Sequence, residues 1–258
     1  MTELSAIERL IVALDTNSPT KAIKIIEQTN RYVGTYKVGL ELSTSILAGL
    51  VAPFEPYHKS LQLLSEARAL FRLLDARYFY DPKAHDIGNT LEGFMKALRM
   101  MTPRFVSVHA SVGVPALKKL VAERQNSQIF PCTILTSLTT QQVREIYGAS
   151  PKEKVLQFSG FAQRAGAQGV ICSAQEVPSL KRHPKLRKLQ TMTPGIRPKR
   201  FALNDQARVL SPTKAIELGV DYLVVGRPVT DPPAWVGSSA NAAELIREEI
   251  EIAIAKEG

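Results

Sequence analysis

The stretch Asp81-Pro82-Lys83-Ala84-His85-Asp86 sets two carboxylates around one ammonium within six residues. A lysine held between carboxylates stays charged, because opposite charge favours the ammonium form. Such a lysine is a poor nucleophile or Schiff-base former. It is a good proton donor and a good partner for negative charge that develops during a reaction. A plain surface ion-pair set has the same composition, so the choice between the two rests on what accompanies the motif. Asp15 and Asp81 close strand-like apolar runs, Lys37 lies within another and Lys83 just beyond the third, and charges placed there are costly to desolvate unless paired. Alternation along an extended segment would put Asp81 and Lys83 on one face. With Asp86 the set comprises three acids and two lysines.

A second constellation lies toward the C-terminus. The segment 193–212, "TPGIRPKRFALNDQARVLSP", carries Pro194, Gly195 in a tight turn, Arg197 and Gln206, with Arg200 reading as a surface residue. The segment 224–230, "VVGRPVT", carries Gly226 and Arg227. Backbone N–H groups at a glycine turn together with guanidinium groups suit a phosphate. No Walker pattern, Ser-His-Asp spacing or metal-ligand cluster competes with this reading.

Elements that would position these groups alternate along the chain. Strand-like runs lie at 9–15, 34–40, 76–81, 104–110, 128–137, 169–174, 188–194 and 221–226. Helical patterns occupy 18–30, 58–74, 90–101, 114–124, 139–148, 152–166, 211–220 and 242–257. Ser18 reads as an N-cap, with Pro19 in the first turn. Eight strands separated by helices, in a chain of 258 residues, predict a single-domain (β/α)8 TIM barrel over 1–258. An open doubly wound sheet is the alternative, but "LDTNSPT" after the first strand lacks the dinucleotide glycine fingerprint. In a barrel the strand ends carry the chemistry. Here they hold Asp15, Lys37, Asp81, Lys83, His109, Thr136, Ser137, Ser173, Thr193, Pro194, Gly195, Gly226 and Arg227.

Composition narrows the class. Hydrophobic residues make up 45 % of the chain, enough for a full core. No apolar run reaches the ~18 residues of a membrane span, and the N-terminus has no secretory pattern, so a cytoplasmic protein is expected. Cys132 and Cys172 lie in apolar runs without metal-ligand spacing and read as buried thiols. The net charge of +9 raises nucleic-acid binding. Yet the basic residues are dispersed, and the densest group, 180–188, has no accompanying signature, so nucleic acid is not expected as a partner.

In order along residues 10–230, "VALD", "YKVGLEL", "DPKAHDIGNT", "VSVHAS", "ILTSL", "GVICSAQE", "TPGIRP", "NDQARVLSP" and "DYLVVGRPVT" resemble the motifs of the orotidine 5'-phosphate decarboxylase family. The resemblance implies a barrel, a homodimer, and no cofactor or metal. It implies that Asp15 and Lys37 hold the ribose, that Asp81 lies against the substrate carboxylate, and that Lys83 protonates C6. Asp86 is implied to reach into the partner's site. Thr136 and Ser137 would face the pyrimidine, and Arg197, Gln206, Gly226 and Arg227 the 5'-phosphate, with Thr90 and Pro194 also on the substrate. The segment 197–209 would close over the ligand. Ala84, Gly88 and Pro82 depart from the usual pattern while leaving the charged positions intact. His85 and His109 would play supporting parts, His58 and His183 none, and Asp75 that of a cap or surface residue. Sugar-phosphate decarboxylases and hexulose-phosphate synthases, which share the acid–lysine–acid motif and need Mg2+, are the nearest alternative. "HDIG" leans toward them and "TPGIRP" against.

Overall fold

The computed structural model describes residues 4–52, 56–198, 201 and 210–256. Eight parallel strands close into a barrel in chain order: β1 Leu10–Ala13, β2 Thr35–Gly39, β3 Tyr78–Ala84, β4 Phe105–His109, β5 Gln128–Cys132, β6 Gly169–Ile171, β7 Gln190–Pro194 and β8 Tyr222–Val225. β1 pairs with β8, in register Leu10 with Leu223 and Val12 with Val225. The expected (β/α)8 class is the observed one.

Helices cover the outside: α1 Ala6–Arg9, α2 Pro19–Thr29, α3 Leu40–Val51, α4 Tyr57–Leu74, α5 Gly88–Leu98, α6 Val114–Ala122, α7 Thr140–Tyr147, α8 Pro151–Ala165, α9 Val177–Arg182, α10 Pro212–Glu217, α11 Arg227–Thr230 and α12 Ser239–Ala255. Ser18 caps α2 by accepting from the Lys21 N–H, with Pro19 in the first turn. Asp75 ends α4 in the left-handed conformation, at φ 40°, which fits a cap. The short helices α1, α9 and α11 and the longer α3 are additions to the sequence reading. α3 escaped it because "LELSTSILAGLV" is apolar on more than one side, leaving Leu40, Leu47 and Val51 exposed, so its periodicity is weak.

Strand alternation sorts the side chains. Ile11, Ala13, Phe79, Phe105, Phe130, Cys132, Ile171, Met192, Tyr222 and Val224 fill the barrel interior. Their neighbours along each strand pack outward on the helices. Phe105 meets Phe130 and Tyr222 edge to face, with centroids 5.1 and 5.0 Å apart. These bulky rings leave no room on β6: a Cβ on Gly169 would lie 2.3 Å from the Phe130 ring and 2.4 Å from the Gln190 carbonyl. On β2 the residues alternating with the outward Tyr36 and Val38 are polar. Thr35 accepts from Arg104 at 3.1 Å, and Lys37 reaches upward to the rim. Arg104 in turn lies 4.8 Å over the Phe105 ring. The barrel's interior is therefore packed with these rings above the Thr35–Arg104 pair, and the acid–lysine row lies at the C-terminal strand ends.

Both thiols are free and buried. Burial pushes the Cys132 thiol up to about 12, which keeps it protonated and inert.

Candidate active site

Four charges line up across the first three strands. Asp15 follows β1, Lys37 lies on β2, and Asp81 and Lys83 lie on β3. Lys37 Nζ donates to Asp15 Oδ1 at 2.7 Å and lies 3.7 Å from Asp81 Oδ2. Lys83 Nζ donates to that same Asp81 Oδ2 at 2.6 Å. Signs alternate along the row, so each interior charge has opposite neighbours. Asp81 is the most enclosed member, its side chain 4 % exposed, whereas Lys83 is 33 % exposed and Asp15 55 %. Asp81 Oδ1 is buried without a hydrogen-bond partner among the described residues, an expensive state for a carboxylate oxygen. Gly39 keeps the row open: a Cβ there would lie 3.0 Å from Lys37 Nζ and 3.5 Å from Asp15 Oδ1.

The expectation that Lys83 sits between two carboxylates holds for one of them. Asp86 is exposed, and its Oδ1 accepts from the Ile87 N–H at 2.7 Å. Asp86 makes no ion pair with Lys83 among the described residues. Thr90 is likewise exposed, in the first turn of α5. Nor do Asp81 and Lys83 converge through simple pleating. β3 is displaced against β4 between Tyr80 and Ala84, and Lys83 has φ 48°. Its N–H donates to Ser107 Oγ at 2.9 Å.

Two histidines lie near the lysine. His85 and His109 meet edge to face with centroids 5.5 Å apart, and Ser111 Oγ is 3.1 Å from His85 Nε2. Burial, followed by the nearby His85 and Lys83, holds the His109 imidazole below its usual range. It is therefore neutral at pH 7, in keeping with a supporting part. Spacing alone gave little sign of this pair; the alternation of "VSVHAS", which sets Ser107 and His109 on the barrel's inner side, was the available signal.

On the other edge of β1 lies β8, which pairs in turn with β7, and β7 ends at Pro194 opposite Val224 of β8. Gly195 turns the chain at φ 81°, a conformation that suits glycine. Arg197 is buried, and its N–H donates to the Leu210 carbonyl at 2.9 Å. Gly226 precedes α11, and Arg227 begins that helix, exposed. A Cβ on Gly226 would lie 3.8 Å from Asp15 Oδ2. Asp15 thus joins the charged row to the arginine-bearing end. Gln206 and Arg200 lie outside the described residues, as does most of the 197–209 segment. The strand expected to reach residue 137 stops at Cys132, and beyond it the chain turns where the Leu138 N–H bonds the Leu135 carbonyl. Thr136 is half-buried and Ser137 exposed in that turn.

A closed parallel barrel whose C-terminal rim carries paired acids and lysines has the architecture of a (β/α)8 enzyme. The model of the orotidine 5'-phosphate decarboxylase / HUMPS family matches residues 8–237. The chain is 37 % identical over 228 residues to an orotidine 5'-phosphate decarboxylase of Pseudomonas putida, covering 86 % of this chain and 89 % of that one. It is 36 % identical over 231 residues to that of Pseudomonas paraeruginosa, covering 86 % and 90 %. The crystal structure of orotidine 5'-phosphate decarboxylase from Lactobacillus acidophilus superposes with a TM-score of 0.70 at 28 % identity, covering 93 % of this chain and 98 % of that one. The chain belongs to the orotidine 5'-phosphate decarboxylase / HUMPS family.

Proposed function

We propose the following chemistry for this rim. The enzyme removes CO2 from C6 of orotidine 5'-monophosphate to give UMP, a step of pyrimidine biosynthesis. The C6–carboxylate bond breaks and its electron pair stays on C6. No ring π-system takes up that pair, so the developing carbanion needs a fixed cation beside it. Lys83 supplies that cation and then delivers a proton to C6. Its partial exposure lets solvent return the proton afterwards. Asp81, buried and with one oxygen lacking a partner, faces the substrate carboxylate and disfavours the charged ground state. The supporting observation is the 2.6 Å contact of Lys83 with this enclosed acid.

Asp15 and Lys37 hold the ribose hydroxyls, and Thr136 and Ser137 face the pyrimidine. Arg197, Gln206, Gly226 and Arg227 form the phosphate end, with Pro194 also on the substrate. Binding energy gained there, remote from the reacting carbon, holds the ring against Lys83. Asp86, exposed, without an ion pair to Lys83 among the described residues and followed by an Ile87 that is 71 % exposed, completes the site of a partner subunit in a homodimer, with Thr90 beside it. The work is done in the cytoplasm. Among the described residues no helix is long and apolar enough to cross a membrane.

The test is loss of orotidine 5'-monophosphate absorbance with EDTA present. Turnover unchanged by the chelator is expected. Failure to consume the substrate overturns the reading, and turnover abolished by EDTA and restored by Mg2+ favours the metal-dependent relatives.

A further inference from the structure

The pairing of β3 with β4 contains an irregularity centred on the proposed proton donor. Phe79 pairs with Phe105 and Tyr80 with Val106; the next pair is Ala84 with Val108. Three residues, Asp81, Pro82 and Lys83, therefore stand opposite the single residue Ser107. A bulge of this kind re-aims side chains and leaves backbone groups outside the ladder. Pro82 has no N–H, so it adds no unpaired donor, and its ring fixes one backbone angle. Lys83 does have an N–H, and its left-handed φ of 48° is a conformation that non-glycine residues adopt at a cost. That N–H donates to Ser107 Oγ at 2.9 Å. Ser107 is completely buried. Alternation along β4 places it on the same side as Phe105 below and His109 above, so its hydroxyl has little room to move.

We infer that Ser107 is a positioning residue for the reaction: its hydroxyl, filling the gap in the β3–β4 ladder, holds the left-handed backbone of Lys83 so that the ammonium stands against Asp81 and under the reacting carbon. Pro82 assists by stiffening the bulge. The inference rests on the reading of Lys83 as the proton donor. It adds a residue that touches neither substrate nor the ammonium and acts through the backbone.

Threonine and valine have nearly the same shape and differ by the hydroxyl, so Ser107→Thr and Ser107→Val form a matched pair, with Ser107→Ala as the smaller control. Ser107→Val and Ser107→Ala are expected to lose about 10²-fold in kcat, the scale of a misplacement of about 1 Å. UMP affinity should stay near that of the parent, because the ribose and phosphate contacts are untouched. Ser107→Thr should recover most of the rate. Amide exchange at Lys83, followed by NMR in the full-length protein, should be faster in the valine and alanine variants than in the parent and the threonine variant. Equal kcat for the threonine and valine variants, or parent-like kcat for alanine, overturns the inference. Lys83→Ala measured alongside separates the two levels. An active Lys83→Ala sinks the proton-donor reading itself, whereas an inactive one with equal threonine and valine rates sinks the Ser107 inference alone.

Discussion

Replacing Lys83 by alanine should damage stability and turnover together, and a second substitution should separate them. At 2.6 Å the attraction between Lys83 and Asp81 is about 6 kcal/mol at an effective dielectric of ~20. This is a gross figure; desolvation and the partial exposure of Lys83 reduce it. Without Lys83, Asp81 stays enclosed with Oδ1 lacking a partner. Its remaining cation is Lys37 at 3.7 Å, already held by Asp15 at 2.7 Å. Breaking a buried pair from one side costs about 3–5 kcal/mol, and the exposure of Lys83 places this case near about 3 kcal/mol. For a chain of this size the thermal midpoint should fall by roughly 6 °C. Turnover should fall by at least about 10⁴-fold, since the carbanion's cation and its proton source are lost together. Lys83→Ala combined with Asp81→Asn should recover most of the stability, because the stranded charge is gone, and none of the activity. The assays are thermal melts and substrate absorbance on the parent, both single variants and the double. A Lys83→Ala enzyme within tenfold of the parent rate refutes the proton-donor role. A single variant as stable as the double refutes the ion pair as the source of the stability loss.

Arg227→Ala should lower kcat/KM for the phosphorylated substrate by about 10–10²-fold, the worth of a charge-assisted hydrogen bond, while leaving decarboxylation of the bare nucleoside nearly unchanged; equal losses on both remove it from the phosphate end. His109 should leave a mark on the pH dependence of stability. Its imidazole titrates below the usual range in the fold, first because of burial and then because of His85 and Lys83, so the unfolded chain binds the proton more readily. Its contribution is complete above the ordinary histidine value of ~6.5 and is lost as pH falls through that value toward the folded one. Urea midpoints measured from about pH 7.5 down to 5 should therefore fall less steeply in His109→Gln than in the parent, and parallel profiles would remove the assignment.

Much of this molecule is readable from its residues because barrel strands and helices have different periods. "LIVA", "YLVV" and "FVSVH" are short apolar runs, and the amphipathic helices between them bury one face each. The charged row was legible for a related reason: Asp15 and Asp81 close apolar segments and Lys37 lies within one, where an unpaired charge is not tolerated. Two kinds of feature were not legible. α3 lacks a clean amphipathic stripe and leaves several large apolar residues exposed. Asp86 accepts from the adjacent Ile87 N–H and makes no ion pair with Lys83 among the described residues, a local choice that spacing cannot express.

The motif around Lys83 shows how a correct juxtaposition can follow from a different cause. Alternation in a regular strand puts residues 81 and 83 on one face, and the two side chains do meet. Yet a regular strand would pair Asp81, Pro82 and Lys83 with three residues of β4, and the ladder gives them one. The proline that departs from the family pattern lies inside that bulge, where a missing N–H does no harm. In a regular ladder it would cost a hydrogen bond. Pro82 is thus a residue that fits a break in the strand, and the buried Ser107 opposite accepts the Lys83 N–H that the break leaves outside the ladder. In the proposed reading, backbone geometry held by a hydroxyl on the neighbouring strand sets the distance between the acid and the lysine.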